Sequence, residues 1–208
     1  IVSNLHLNNK NKSLILTFDD GGISAIKIAN ILSERNLVGH FFITTSMIGK
    51  DLFLNKEQII KIRKMGHIIG SHSHTHPQIF RDINYDQKIF EWKTSKDLLE
   101  EILDEKIDCA SIPGGDMDKD TIRAASSAGL KFLFTSEPTY YSYSQFGVEI
   151  FGRVFPKNNT DKRIIKKWAE GKGYFKEYII RKIKIFFRVR LKFIYKIYLK
   201  NNAKIYHV

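Results

Sequence analysis

The chain has 208 residues, enough for one domain with a sizeable core, and 43% hydrophobic and 27% charged residues exclude collagen-like and disordered classes. Its single cysteine, Cys109, excludes a disulfide framework and a Cys-rich zinc module. The net charge of +12 is uneven: Tyr174 to Val208 holds ten Lys or Arg against one acid, Glu177, leaving +3 for the first 173 residues and disfavouring nucleic acid as a partner.

Apolar β-rich runs alternate with amphipathic helical stretches. Leu14 to Phe18 reads as a buried strand, followed by a helical pattern through Ile23, Ile26, Ala29 and Leu32. Phe41 to Thr44 gives a second strand. Asn55 and Gln58 form a capping box for a helix that ends near Gly66. A short third strand runs from His67 to Gly70, and Asn84 with Gln87 caps the longest helix, to about Leu103. Cys109 to Ile112 is the fourth strand. Asp118 caps a helix that stops at Gly129, and Leu130 to Phe134 and Val148 to Phe155 are the fifth and sixth strands. Tyr140, Tyr141, Tyr143 and Phe146 fall in an expected loop between them. Thr160 opens a short helix through Trp168. This order predicts an α/β fold with a parallel sheet, and the strand count suits a distorted (β/α) barrel of fewer than eight strands. The compositional boundary near Gly171–Gly173 divides a domain of residues 1–173 from a basic tail of residues 174–208.

Three polar clusters stand at expected strand ends, where parallel α/β folds place their sites. They are Asp19-Asp20-Gly21-Gly22, His72-Ser73-His74-Thr75-His76-Pro77 and Pro113-Gly114-Gly115. Adjacent carboxylates after an apolar strand are costly to bury without a cation. One of them can bind a metal while its neighbour faces a water. His72 and His76, four apart, would project from one side of a helical turn, as two His ligands of zinc do. Two His and one Asp leave a coordination position open, which is a catalytic arrangement. Each cluster alone also reads blandly, Asp-Asp-Gly as a turn or cap and the His run as a solvated loop. Their joint occurrence favours a site.

Leu16-Thr17-Phe18-Asp19-Asp20-Gly21, followed by Gly70-Ser71-His72-Ser73-His74-Thr75-His76-Pro77, resembles the first two motifs of the polysaccharide deacetylases, the NodB-homology domains of carbohydrate esterase family four. The strand Phe41-Phe42-Ile43-Thr44 falls where that family has its Thr-Phe-Phe strand, and the resemblance covers roughly Leu14 to Phe155. It implies the same incomplete barrel, with Asp20, His72 and His76 binding a divalent metal, usually zinc, with cobalt, nickel or manganese as substitutes. It further implies that Asp19 is the general base, that Ser73 braces the loop, and that an N-acetyl or O-acetyl group on a sugar is hydrolysed. The sequence departs from the family at three places. Ser111 stands where the third motif has a base-orienting Arg, and Arg153 is the candidate substitute cation. The fourth motif lacks its Trp in Phe134-Thr135-Ser136-Glu137-Pro138, and the Leu-His of the fifth has no convincing match. His74 and Glu137 are then the nearby candidates for the general acid. Pro113, Gly114 and Tyr141 are candidates for substrate contact, Tyr141 either by stacking on sugar rings or by packing its loop on the barrel.

The leading expectation is a metal-dependent deacetylase of a surface polysaccharide or its lipid-linked precursor. The alternatives are a degenerate carbohydrate-binding barrel and a small-molecule amide hydrolase. In the tail, Lys184, Arg188, Lys192, Lys196 and Lys200 recur every four residues among Ile and Phe. That pattern suits a helix lying on an anionic membrane surface, or a terminal helix packed on the barrel with a solvated basic face. The expected location is cytoplasmic, peripheral on the inner face of the membrane. The non-Met start at Ile1 keeps open an exported protein whose signal precedes it.

Overall fold

The computed structural model describes residues 14–191. The first strand, β1 (Leu16–Phe18), leads into α1 (Ser24–Ser33), β2 (Gly39–Ile43), α2 (Lys56–Lys64), β3 (Ile68–Ser71) and α3 (Tyr85–Leu103). There follow β4 (Cys109–Ser111), α4 (Lys119–Ser127), β5 (Phe132–Phe134), β6 (Tyr143–Gln145), β7 (Val148–Phe151), α5 (Lys162–Ala169) and α6 (Phe175–Arg190). The helix starts follow from local chemistry. Asn55 and Gln58, Asn84 and Gln87, and Asp118 and Thr121 each form a reciprocal capping box that satisfies the free N–H groups of a first turn.

The seven strands form one sheet in the order β1-β2-β3-β4-β5-β7-β6, parallel except for β6. Two sequence expectations are corrected here. The first strand is half-buried, because it is an edge strand with one neighbour only. Part of the expected tyrosine loop is β6, an antiparallel partner of β7 across the two-residue turn Phe146-Gly147, both at positive φ (52° and 75°). Val148 begins a strand that ends at Phe151, four residues short of the expected limit, and Arg153 lies just beyond it.

Alternation along the strands sorts the core into layers. Phe41 and Ile43 of β2 pack outward with α1 and α2, whereas Phe42 joins Cys109, Phe134, Phe132 and Phe151 in an inner cluster. Ala110, Leu133 and Ile150 face outward with Trp92, Ile122 and Ala125 of α3 and α4. Gly70 is required in the inner layer, since a Cβ there would lie 2.6 Å from the Phe42 ring and 2.7 Å from the Cys109 carbonyl. The inner cluster exists because the sheet curls. Five strand spacings separate β1 from β7, about 24 Å on a flat sheet, yet Arg153 after β7 donates to Asp19 after β1 at 2.9 Å. With β1 and β6 unpaired to each other at its two edges, the sheet is an open, distorted (β/α) barrel of seven strands.

By contacts the chain divides into two units, one reaching to Ser136 and including Tyr141–Arg153, the other Glu137–Tyr140 with the described residues from Val154 onward. Among the described residues, no helix is long and apolar enough to cross a membrane. The tail positions Lys192, Lys196 and Lys200 lie outside the described residues.

Two histidines away from the strand ends belong to the core. His67 accepts from the Gly39 N–H at 3.2 Å through Nδ1, and its Nε2 lies 3.0 Å from the Ala29 carbonyl, tying α1, β2 and β3 together. His40 is buried against Phe134, and burial pushes its pKa down from 6.5 to about 4. A group that binds its proton less readily in the folded than in the unfolded chain loses stability as pH falls from 6.5 towards 4, by up to about 3 kcal/mol over this interval. Urea unfolding from pH 7 to pH 4 should therefore show a steeper acid loss for the wild type than for His40→Asn; equal slopes would assign the acid sensitivity to other groups.

Candidate metal centre and its neighbours

The period of two that builds the inner layer also builds the site. Asp19 continues the inward series of β1 after Thr17, His72 follows Gly70 on β3, Ser111 follows Cys109 on β4, and Arg153 follows Phe151 on β7. All four stand at C-terminal strand ends, and the curl brings them together.

Asp20, His72 and His76 offer one ligand atom each, all within 4.8 Å of one another. Asp20 Oδ1 is 3.3 Å from His72 Nε2 and 3.6 Å from His76 Nε2. The His72 Nδ1 lies 2.9 Å from the Ser111 carbonyl and donates to it, which leaves Nε2 to face Asp20 as the atom that would bind a metal. Two neutral imidazole nitrogens and a carboxylate oxygen are a donor set for zinc or a similar divalent ion, and these residues fit one. Burial alone would raise the Asp20 carboxyl, but the hydrogen bond and charge of His72, with His76, hold it below the usual range. His76 is pushed below its ordinary value by burial first and then by the nearby His72.

The expected helical turn between the two histidines is corrected. Residues 72–76 form an irregular loop with Ser73 and His76 at positive φ (63° and 56°), and the two rings lie 5.0 Å apart. Asp20 is also left-handed (φ 75°), beside Gly21 at 77°. Such backbone costs of order 1 kcal/mol for a residue with a Cβ and persists where the surroundings over-determine it. They do so here. Asp20 O accepts from Thr44 N, Gly21 O accepts from Leu54 N, and Ser73 Oγ accepts from His76 N at 3.1 Å while Ser73 N donates to Ser71 Oγ.

Sequence reasoning missed Glu91. This residue, on the buried face of α3, accepts from His74 N (2.8 Å), Thr75 N (2.7 Å) and Thr75 Oγ1 (2.5 Å), and so anchors the ligand loop from behind. The available signal was its helical face, which it shares with Trp92, Ser95 and Leu99. Glu91→Ala should weaken zinc binding about 10–100-fold, as loss of a group that orients ligands does. It should also destabilise the fold by about 2–3 kcal/mol through the stranded N–H groups. Zinc titration with chemical denaturation tests this; wild-type affinity in the variant would remove the anchoring role.

Asp19 has different partners from Asp20. Arg153 donates to both its oxygens, Nη1 to Oδ1 at 2.9 Å and Nη2 to Oδ2 at 3.0 Å, and Ser111 Oγ donates to Oδ2 at 3.1 Å. The guanidinium is itself fixed by the Thr135 carbonyl (2.9 Å), Thr17 Oγ1 (3.2 Å) and Ser111 Oγ (2.7 Å). Burial pushes the Asp19 carboxyl up, but His72, Arg153 and Ser111 outweigh it, and its pKa lies below the ordinary value. The site thus holds an ionised carboxylate in a rigid fork beside a three-ligand group.

The other candidate residues are placed as follows. The His74 ring meets Thr45 Oγ1 at 3.0 Å through Nδ1 and packs edge-on to Phe90; it does not belong to the three-ligand group. Glu137 belongs to the second unit, where it pairs with Arg181 (3.7 Å) and Lys182 (3.5 Å). Pro113 is buried in the turn after β4, with Gly114 at φ 64°, and Tyr141 is exposed ahead of β6. Cys109 is a small buried member of the inner layer, its thiol pushed up to about 12 by burial.

Comparison with known proteins agrees with this architecture. Peptidoglycan-N-acetylmuramic acid deacetylase PdaA of Bacillus subtilis (strain 168) is 35% identical over 77 residues, 35% of this chain and 27% of that protein. The match therefore spans about a quarter of that relative's length. Among solved structures, the Streptococcus pyogenes deacetylase PplD, in complex with acetate, superposes with a TM-score of 0.65 at 21% identity, covering 76% of this chain and 73% of that one. The putative polysaccharide deacetylase BA0330 of Bacillus anthracis gives 0.69 at 20% identity, covering 83% and 55%. These two likenesses show the fold. The Polysaccharide deacetylase family pattern matches residues 6–133, well over half of the chain and inclusive of the Asp19-Asp20 and His72–His76 clusters, and the chain belongs to that family.

Proposed function

We propose that this protein is a metal-dependent hydrolase that removes N-acetyl groups from a sugar of a surface polysaccharide or its lipid-linked precursor. The observation that carries the reading is the division of labour between two adjacent carboxylates: Asp20 converges with His72 and His76, while Asp19 is ionised and held by Arg153 and Ser111. Asp20, His72 and His76 would hold a divalent cation, zinc by donor type with cobalt, nickel or manganese as substitutes, which would supply Lewis acidity toward an acetyl carbonyl and water.

The chain's own residues do the rest. Asp19 Oδ1 or Oδ2 accepts the proton of the attacking water, and that proton passes to the sugar nitrogen as the C–N bond breaks, leaving acetate and the free amine. The fork of Arg153 fixes the carboxylate plane, and its charge keeps Asp19 ionised and ready to accept. Ser111 fills the space between guanidinium and carboxylate, accepting from one and donating to the other. Arg153 is therefore a positioning residue. The relative named for peptidoglycan deacetylation and the acetate-bound structural neighbour support an acetylated cell-surface sugar as the substrate class.

The test is stoichiometric. Incubated with an N-acetylated oligosaccharide, the protein should release acetate and an equal amount of free amine. Release only from O-acetylated sugars would move the reading to an esterase, and release only from small amides would make it a small-molecule hydrolase. Saturable sugar binding without acetate would make it a binding barrel.

A further inference from the structure

Helix α6 carries an apolar row that the fold leaves uncovered. Phe175, Ile179, Ile180, Ile183 and Phe186 are all exposed, Phe175 by 67%, Ile183 by 51% and Phe186 by 58%. At about 100° per residue they occupy roughly 140° of one side of the helix. The exposed cations Lys176, Lys184 and Arg190 fall within or at the border of this arc, and the Arg190 guanidinium lies 5.9 Å over the Phe186 ring. The opposite side is half-buried and carries Glu177, Tyr178, Arg181 and Ile185. The exposed side therefore consists of hydrocarbon and positive charge. No Ser, Thr, Asn, Gln or Gly occurs anywhere in the helix, and Glu177 is its single acid.

We propose that this face of α6 lies in the surface of an anionic lipid bilayer. The chemistry matches layer by layer. Phe and Ile side chains enter the acyl boundary, while long Lys and Arg stems bring their charges back to the lipid phosphates. Sixteen residues span about 24 Å, enough to lie flat in the interface, and the helix is not of the long apolar kind that crosses a membrane. A second copy of the chain fits the face badly, because an isologous contact would set Lys176, Lys184 and Arg190 against their own kind with Glu177 turned away. A protein partner's interface core is ordinarily depleted of lysine, whereas this face carries lysines in and beside its apolar row.

The experiment is co-sedimentation of the full chain with phosphatidylcholine vesicles, with and without phosphatidylglycerol. Binding is expected with phosphatidylglycerol only, and it weakens as salt is raised. Ile183→Gln with Phe186→Gln removes the apolar contact, and Lys176→Glu with Lys184→Glu removes the charge; each pair should weaken binding at least about tenfold with the circular dichroism spectrum unchanged. Equal binding to neutral vesicles, no binding to anionic ones, or wild-type binding by both double variants overturns the proposal. So does a concentration-dependent dimer that both pairs abolish, which assigns the face to a second copy.

Discussion

Replacing Asp19 by Asn is expected to lower acetate release by about three orders of magnitude, the middle of the range for loss of a general base. Zinc affinity should change by much less than the roughly 10–100-fold that loss of a ligand-orienting group costs. The amide has the shape of the carboxylate but cannot take a proton, and it meets the fork of Arg153 with one acceptor where the carboxylate offers two. The candidate ligand atoms belong to Asp20, His72 and His76, so a bound metal would be left in place. Arg153→Gln, which keeps the base and removes its cation, should fall between wild type and Asp19→Asn in turnover. If Asp19→Asn lost metal and activity in parallel, Asp19 would be a ligand and the division between the two carboxylates would be wrong.

The second large effect is on the metal itself. His72→Ala should weaken zinc binding at least about 100-fold, beyond the effect of removing a group behind the ligands. His72 is buried, its tautomer is set by the Ser111 carbonyl, and its removal also strands that carbonyl. Asp20→Ala and His76→Ala should follow in the same direction. His74→Ala should not, because its ring is turned to Thr45 and Phe90. Bound zinc per chain after dialysis against a weak chelator distinguishes these cases, and a loss in His74→Ala equal to that in His72→Ala would contradict the ligand set.

The sequence was legible where local chemistry decides the structure. Capping residues Asn55, Asn84 and Asp118 set their helix starts through side-chain bonds three residues away, so the starts could be read directly. The polar strings after β1 and β3 stood out because polar residues rarely follow apolar strands without a partner. Features set by tertiary neighbours were less legible. Leu14–Phe18 reads as a buried strand from its apolarity, and only the sheet order shows β1 at an edge. Tyr143–Gln145 shows no apolar alternation, and its turn begins with Phe146, which local rules would not place at positive φ. Glu91 is an ordinary residue for a helix, and its function depends on a loop sixteen residues upstream folding back over α3. The encounter of Arg153 with Asp19, 134 residues apart, depends on the curl of the whole sheet.

In the proposed function, one divalent ion on Asp20, His72 and His76, with Asp19 beside it, makes this barrel a deacetylase. The most direct measurement is acetate release from an N-acetylated oligosaccharide while the metal-stripped protein is titrated with zinc. Negligible release is expected at the start, then a rise with added zinc and a plateau at about one ion per chain, the stoichiometry of a single three-ligand site. Full release by the stripped protein, or none at any zinc concentration, would contradict it.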